Sequence, residues 1–225
     1  MRFFARIASI VSLSLIPVSA AAQAQGSAGT DRPNYYVDFT LGATFGHNSS
    51  GSIGGEGGVR VADNIDVFFE AGHMKNVGTQ DLDNRAQLIG NAVGATVSTA
   101  YKVNYYDAGV RYHLPWMPKP VFNHSYAPYA VLGIGLASVR SETALSVNGT
   151  TVPPESLGVQ FGSDLNGSVN KAILVIGGGA TMAFQKRYFA DLSYRYGRIF
   201  ARTSQIDNDM GINTNRLQIA VGVTF

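Results

Sequence analysis

One pattern governs this chain. Apolar residues return at every second position, and the positions between them are polar, small or ionised. The stretch NRLQIAVGVTF shows it cleanly: Leu217, Ile219, Val221, Val223 and Phe225 alternate with Arg216, Gln218, Ala220, Gly222 and Thr224. A period of two sends these sets to opposite faces of one strand. The two faces meet different solvents, so the chain must build a sheet that offers both.

The pattern recurs between turn signals. Segment 35–45 sets Tyr35, Val37, Phe39, Leu41, Ala43 and Phe45 against Tyr36, Asp38, Thr40, Gly42 and Thr44. Segment 53–61 is glycine-rich, with Glu56 and Arg60 on its polar face. Segment 65–74 sets Val67, Phe69 and Ala71 against Asp66, Phe68, Glu70 and Gly72. Segment 100–114 alternates Tyr106, Ala108, Val110 and Tyr112 with Tyr105, Asp107, Gly109 and Arg111. Segment 126–139 sets Ala130, Leu132, Ile134 and Leu136 against Tyr129, Val131, Gly133 and Gly135. In 171–184 both faces are apolar or glycine, so the parity stays open. Segment 188–199 turns Leu192, Tyr194 and Tyr196 out and Asp191, Ser193 and Arg195 in. With 215–225 the count is eight strands.

The connections alternate in length. Those after strands three, five and seven are long, over 75–99, 140–170 and 200–214. Those after strands two, four and six are short, PWMPKP belonging to the longest of them, and the first, 46–52, is intermediate. Several structureless loops of such length are uncommon in a compact soluble domain. An even strand number, short turns at one end, long loops at the other and both termini on the turn side are the plan of a transmembrane barrel.

The N-terminus fits that plan. Arg2 and Arg6 lead into IASIVSLSLIPVSA, and Ala22-Gln23-Ala24 supplies small residues. This predicts a secretory signal peptide over 1–24, with cleavage after Ala20 as the alternative, and export through the Sec pathway. A polar periplasmic lead-in, 25–33, and a barrel domain, 34–225, follow. Residues 1–24 carry two of the 17 basic side chains and none of the 15 acidic ones. The remainder is formally neutral, which gives no footprint for nucleic acid. The absence of cysteine excludes a disulfide scaffold and a thiolate zinc site. Beyond residue 24 no apolar run reaches the roughly 18 residues of a spanning helix. In a membrane, such a chain is a barrel.

The inward charges need partners. An acid-x-x-x-Arg spacing recurs in EGGVR, DAGVR and DLSYR. Four positions along a strand keep one face but separate the groups by about 13 Å, so each must pair across strands. The Asp63-Asn64 turn sets Arg60 opposite Asp66 and Glu56 opposite Glu70. Two facing carboxylates are unfavourable, so an arginine, Arg195 or Arg111, is expected between them. Asp38, Glu56, Arg60, Asp66, Glu70, Asp107, Arg111, Asp191 and Arg195 form the expected lumen network. A salt-bridged plug is preferred over a proton or ion path, because an eight-stranded barrel is just wide enough to be filled by side chains. Tyr35, Phe45, Tyr112 and Phe225 form the expected aromatic girdle.

Taken in order, YYVDFTLGATF, GGEGGVRVADNIDVFFEAG, YYDAGVRYHL, APYAVLGIGLA and FADLSYRYG resemble the eight-stranded outer-membrane barrels of the OmpA-like, OmpX-like and opacity-protein group. The resemblance covers nearly the whole chain after the signal. It implies an all-β, antiparallel up-and-down transmembrane barrel in the bacterial outer membrane, in contact with lipid and lipopolysaccharide. The last strand is similar to the signal read by the outer-membrane assembly machinery. Gln218, Val223 and Phe225 fit that signal, and Ala220 stands where glycine is usual. Barrels of this group carry adhesion or host contacts in external loops, which makes 75–99, 140–170 and 200–214 candidate ligand surfaces.

Other chemistry is sparse. His47, His73, His113 and His124 show no metal spacing, and no cofactor motif appears. His47-Asn48-Ser49, with Glu56 as acid, copies the His-x-Ser arrangement of outer-membrane lipid A deacylases, and a surface coincidence is the preferred reading. The expectation is a non-enzymatic barrel with a structural and surface-interaction role and no cofactor. A small ion-conducting pore is the alternative, and a lipid A hydrolase comes third.

Overall fold

A computed structural model describes residues 35–46, 48–115, 125–163, 165–184, 187–201 and 211–225. The expected signal peptide and lead-in, His47, His124 and most of loop 200–214 lie outside the described residues. The elements are β1 (Tyr35–Phe45), β2 (Ser50–Ala62), β3 (Ile65–Lys75), α1 (Gln80–Ala92), β4 (Thr96–His113), β5 (Ser125–Val147), β6 (Thr150–Val152), β7 (Gly167–Ala183), β8 (Tyr188–Ile199) and β9 (Ile212–Thr224).

Eight of the strands close into an antiparallel barrel. They run β4-β3-β2-β1-β9-β8-β7-β5, and the β4–β5 pairing completes the ring. The short β6 pairs only with β5 and lies outside the ring. The seam between first and last strand is fully laddered, from Tyr36↔Thr224 to Phe45↔Asn215. The Phe225 N–H then donates to the Tyr35 carbonyl at 2.9 Å. Every barrel strand thus has two partners, as closure requires.

The outward set is apolar and uncovered. Phe39 is 49% exposed, Leu132 54%, Ile134 68% and Ile219 62%. A belt of such side chains has no place in water. The 11 residues of β1 span about 33 Å, or about 25 Å once tilted by roughly 40°, the height of the apolar band on barrels in lipid. Tyr35, Tyr112, Tyr126, Tyr188 and Phe225 stand at its turn end, and Phe45, Tyr106 and Tyr194 toward its loop end. The open parity of the sixth barrel strand resolves here: Lys171, Ile173 and Val175 point inward and Ile176 outward.

Two expectations are corrected. Segment 75–99 is not structureless, because it holds α1. The Thr79 side chain accepts the Leu82 N–H, and Asp81 and Asp83 lie in the first turn, both favourable at a helix N-terminus. Leu82, Ala86 and Gly90 recur every four residues and form its buried face. Segment 140–170 is also largely built. Strands β4 and β5 continue past the belt as a paired ribbon from Lys102↔Arg140 to Thr96↔Ser146. Asn148 (φ 51°) and Gly149 (φ 80°) then turn the chain into β6. Positive φ at both positions marks the tight hairpin for which Asn-Gly is suited. Beyond Leu136 the outward residues become Ser138, Arg140 and Glu142, so the apolar alternation ends while the strand goes on.

The core sits at the loop end of the lumen. Leu82 and Ala86 of α1 pack among Met74, Tyr101, Val103, Ala137, Val139, Leu165, Ile173, Val175, Ile199 and Ile212. These residues come from six of the barrel strands, from α1 and from the segment before β7. A cavity of about 10 Å³ lined by Leu82, Val139 and Ile212 is no larger than one water.

Candidate functional site

The inward face changes character toward the turn end. Asp38, Glu56, Glu70, Asp107, Asp191, Arg111, Arg195, Arg216 and Gln218 are all buried there. Strand register places them. Glu56 lies directly opposite Glu70, and Glu70 directly opposite Asp107. Three carboxylates on adjacent strands would repel one another.

Arginines from other walls of the barrel reach them. Arg195, on β8, donates from Nη1 to Glu70 Oε2 at 2.6 Å and from Nη2 to Glu56 Oε2. Arg111, on β4, donates to Glu56 Oε1 at 2.6 Å and not to Glu70. Arg216, on β9, donates to Glu70 Oε1 at 3.1 Å, and Gln218 adds an amide N–H at 3.2 Å. Tyr36 and Tyr105 donate their hydroxyls to Glu56 and Glu70 at 2.6 and 2.9 Å. Each glutamate therefore meets two guanidiniums and a phenol, the satisfaction that a buried charge requires.

Aromatic rings complete the layer. Arg111 lies over the Tyr129 ring at 4.2 Å and Arg216 over Tyr105 at 4.3 Å, within range of cation–π attraction. The rings lie against strand positions that lack a Cβ. A Cβ at Gly58 would sit 2.3 Å from the Tyr36 ring, and one at Gly72 2.4 Å from the Tyr105 hydroxyl. Glycine at these two positions is the room the tyrosines occupy.

The other expected members are arranged separately. Arg60 and Asp66 pair at 2.7 and 3.1 Å near the turn end, and His113 Nε2 lies 2.6 Å from Asp66 Oδ2. Asp191 accepts from Tyr129 at 2.6 Å and Thr181 at 2.9 Å. Asp38 accepts from the Thr40 hydroxyl and the Glu56 N–H, both at 3.2 Å. Neither oxygen of Asp107 has a hydrogen-bond partner among the described residues. Sequence reasoning missed Arg216, Tyr36, Tyr105 and Tyr129. The parity that sends Gln218 inward also sends Arg216, so the signal was present.

Of the trio, the two described members stay apart. Glu56 is committed to Arg111, Arg195 and Tyr36, and seven residue steps along β2 and its approach, about 23 Å of extended chain, separate it from exposed Ser49. Among the described residues no group of three or more His, Cys, Asp or Glu side chains is arranged to hold a metal ion.

Of the remaining expected positions, Phe225 is 71% exposed, Tyr35 59%, and Phe45 and Tyr112 44% each, all on the outer face. Gln218 points inward, whereas Val223 shares the outward parity of Phe225.

The family described as outer membrane protein beta-barrel domain matches residues 8–225. A search of curated protein sequences returns no match. Among solved structures, Neisserial surface protein A is similar at a TM-score of 0.51 and 15% identity, over 85% of this chain and 97% of that one. The outer membrane protein OprG of Pseudomonas aeruginosa aligns at a TM-score of 0.47 and 8% identity, over 86% and 97%. A major outer membrane protein of Thermus thermophilus aligns at 0.46 and 12%, over 85% and 99%. At 15% identity the likeness to Neisserial surface protein A is one of fold.

Proposed function

The chain belongs to the outer membrane protein beta-barrel domain family, which points to the bacterial outer membrane, and from that premise we propose a non-enzymatic barrel whose lumen is plugged and whose working surface is its external extension. One observation carries the reading. Arg195 leaves β8 and ends between Glu56 and Glu70 on β2 and β3, three and four strands away around the ring. A brace of that kind crosses the bore. The apolar cluster around α1 fills the lumen above it. A plugged barrel offers its outer ribbon, α1 and loops to partners.

Planar-bilayer recording of the refolded full chain tests this. No resolved conductance steps are expected from the wild type. Steps would favour the second reading, a small pore. The observation favouring that reading is the excess, among the described residues, of six buried carboxylates, at positions 38, 56, 66, 70, 107 and 191, over the four buried cations at 111, 171, 195 and 216. Such a pore would select cations.

Two further roles belong to the same reading. Export uses the signal over 1–24, so the mature protein should begin at Gln25 on N-terminal sequencing. The assembly machinery reads Gln218, Val223 and Phe225 before closure, since in the barrel β9 is paired on both edges.

A further inference from the structure

Formal neutrality conceals a local concentration of charge. On the outer face, Lys75 of β3 lies directly opposite Lys102 of β4, and Lys102 directly opposite Arg140 of β5. Like charges placed directly across a ladder are destabilising unless an anion joins them. Glu142 supplies part of that anion. Its carboxylate accepts from Lys102 Nζ at 3.2 Å and from Arg140 Nε at 2.9 Å. The Lys102 hydrogen bond holds the Glu142 carboxyl below the usual carboxylate range, so the contact is ionic at neutral pH. Lys75 has no salt bridge among the described residues. The row as a whole keeps two positive charges in excess of its carboxylate.

Its height matters as much as its charge. The top apolar rung on these strands is Leu136↔Tyr106↔Ala71. The next outward rung, Ser138↔Asn104↔His73, is polar, and His73 Nδ1 lies 2.7 Å from Asn104 Oδ1. The cation row is the rung after that. It stands about 13 Å along the strand, or about 10 Å in height, above the apolar edge. Long basic side chains reach down from such a position to the headgroup layer. The side chains are open to it: Arg140 is 67% exposed, Lys102 47% and Glu142 42%.

We propose that Lys75, Lys102 and Arg140 form a binding site for the phosphate of an outer-leaflet lipid headgroup, which competes with the Glu142 carboxylate for Lys102 and Arg140. The site rests on the outer-membrane reading, which sets the loop end of the barrel outward. Each cation near a charged lipid surface strengthens binding about fivefold.

The test uses the full chain refolded into neutral phosphatidylcholine vesicles, with and without bis-phosphorylated lipid A. The readout is the temperature at which the compact, unboiled gel band converts to the slow one. Lipid A is expected to raise it for the wild type. The variant Lys75→Gln/Lys102→Gln/Arg140→Gln should keep the compact band in neutral vesicles and lose most of the rise. Glu142→Gln should increase the rise, because it frees two donors. Should the triple variant fail to fold, Lys75→Gln alone should lower lipid A affinity about fivefold. A full rise in the triple variant overturns the proposal. So does an equal rise with dephosphorylated lipid A, or one reproduced by inorganic phosphate in neutral vesicles, which would mean a free-anion site. A wild type with no compact band even in neutral vesicles sinks the barrel reading itself and is seen before any lipid A is added.

Discussion

Toward the turn end, the lumen is lined by Glu56, Glu70, Arg111, Arg195 and Arg216. Toward the loop end it is lined by Met74, Val103, Ile173, Val175 and Ile199. Strands β3, β4 and β8 supply residues to both sets, with the same parity in each. The lower layer is directional: each guanidinium must reach particular oxygens of the two shared glutamates, so the register of the wall fixes it. The upper layer is not. It is completed by Leu82, Ala86 and Leu165, which come from connections and not from barrel strands. Apolar packing asks only for volume and shape. The lower layer should therefore answer to the whole barrel, and the upper one to the loops alone.

Three substitutions break or sharpen this contrast, from the largest expected effect to the smallest. Glu70→Ala leaves Arg195 and Arg216 without their shared partner and should cost about 3–5 kcal/mol. Urea titration of the compact gel band measures it, and an unchanged midpoint would show that the network is not needed. Leu82→Ala removes the largest buried side chain of α1 and should weaken the upper cluster by about 2–5 kcal/mol. The expected signature is faster proteolysis within 76–95 with the urea midpoint of the barrel unmoved. A midpoint falling as far as that of Glu70→Ala would mean that the two layers unfold as one. Thr79→Ala deletes the cap of α1 and should cost about 1 kcal/mol. It should raise the same proteolysis rate to a smaller degree, and no change would remove the helix from the account of the cluster.

The sequence made the wall legible and much of the loop end illegible, for one physical reason. Period two is set by the backbone, so inward and outward residues could be assigned wherever the two solvents differ. The Asp63-Asn64 turn fixed the register that puts Glu56 opposite Glu70. Beyond Leu136 both faces become polar or mixed, and the alternation no longer distinguishes strand from loop. This concealed the β4–β5 ribbon, although Asn148-Gly149 marked its turn. The helix was missed because its signal has another period: Thr79 as cap, then Leu82, Ala86 and Gly90. Arg216 went unassigned because it has no acid four positions before it, as Arg60, Arg111 and Arg195 do. The row of Lys75, Lys102 and Arg140 could not be seen in a neutral composition, since only the ladder brings these three residues to one height.

The upper cluster also carries information about time. It joins Leu82, early in the chain, to Ile199 and Ile212, which belong to the last two strands. Contacts of such long separation form late, after the chain between them has been ordered. The helix can meet Met74, Tyr101 and Val103 as soon as β3 and β4 pair, but its cover is complete only when Ile199 and Ile212 of the final hairpin arrive. A probe on Leu82 should therefore report on closure of the barrel in a second, later step.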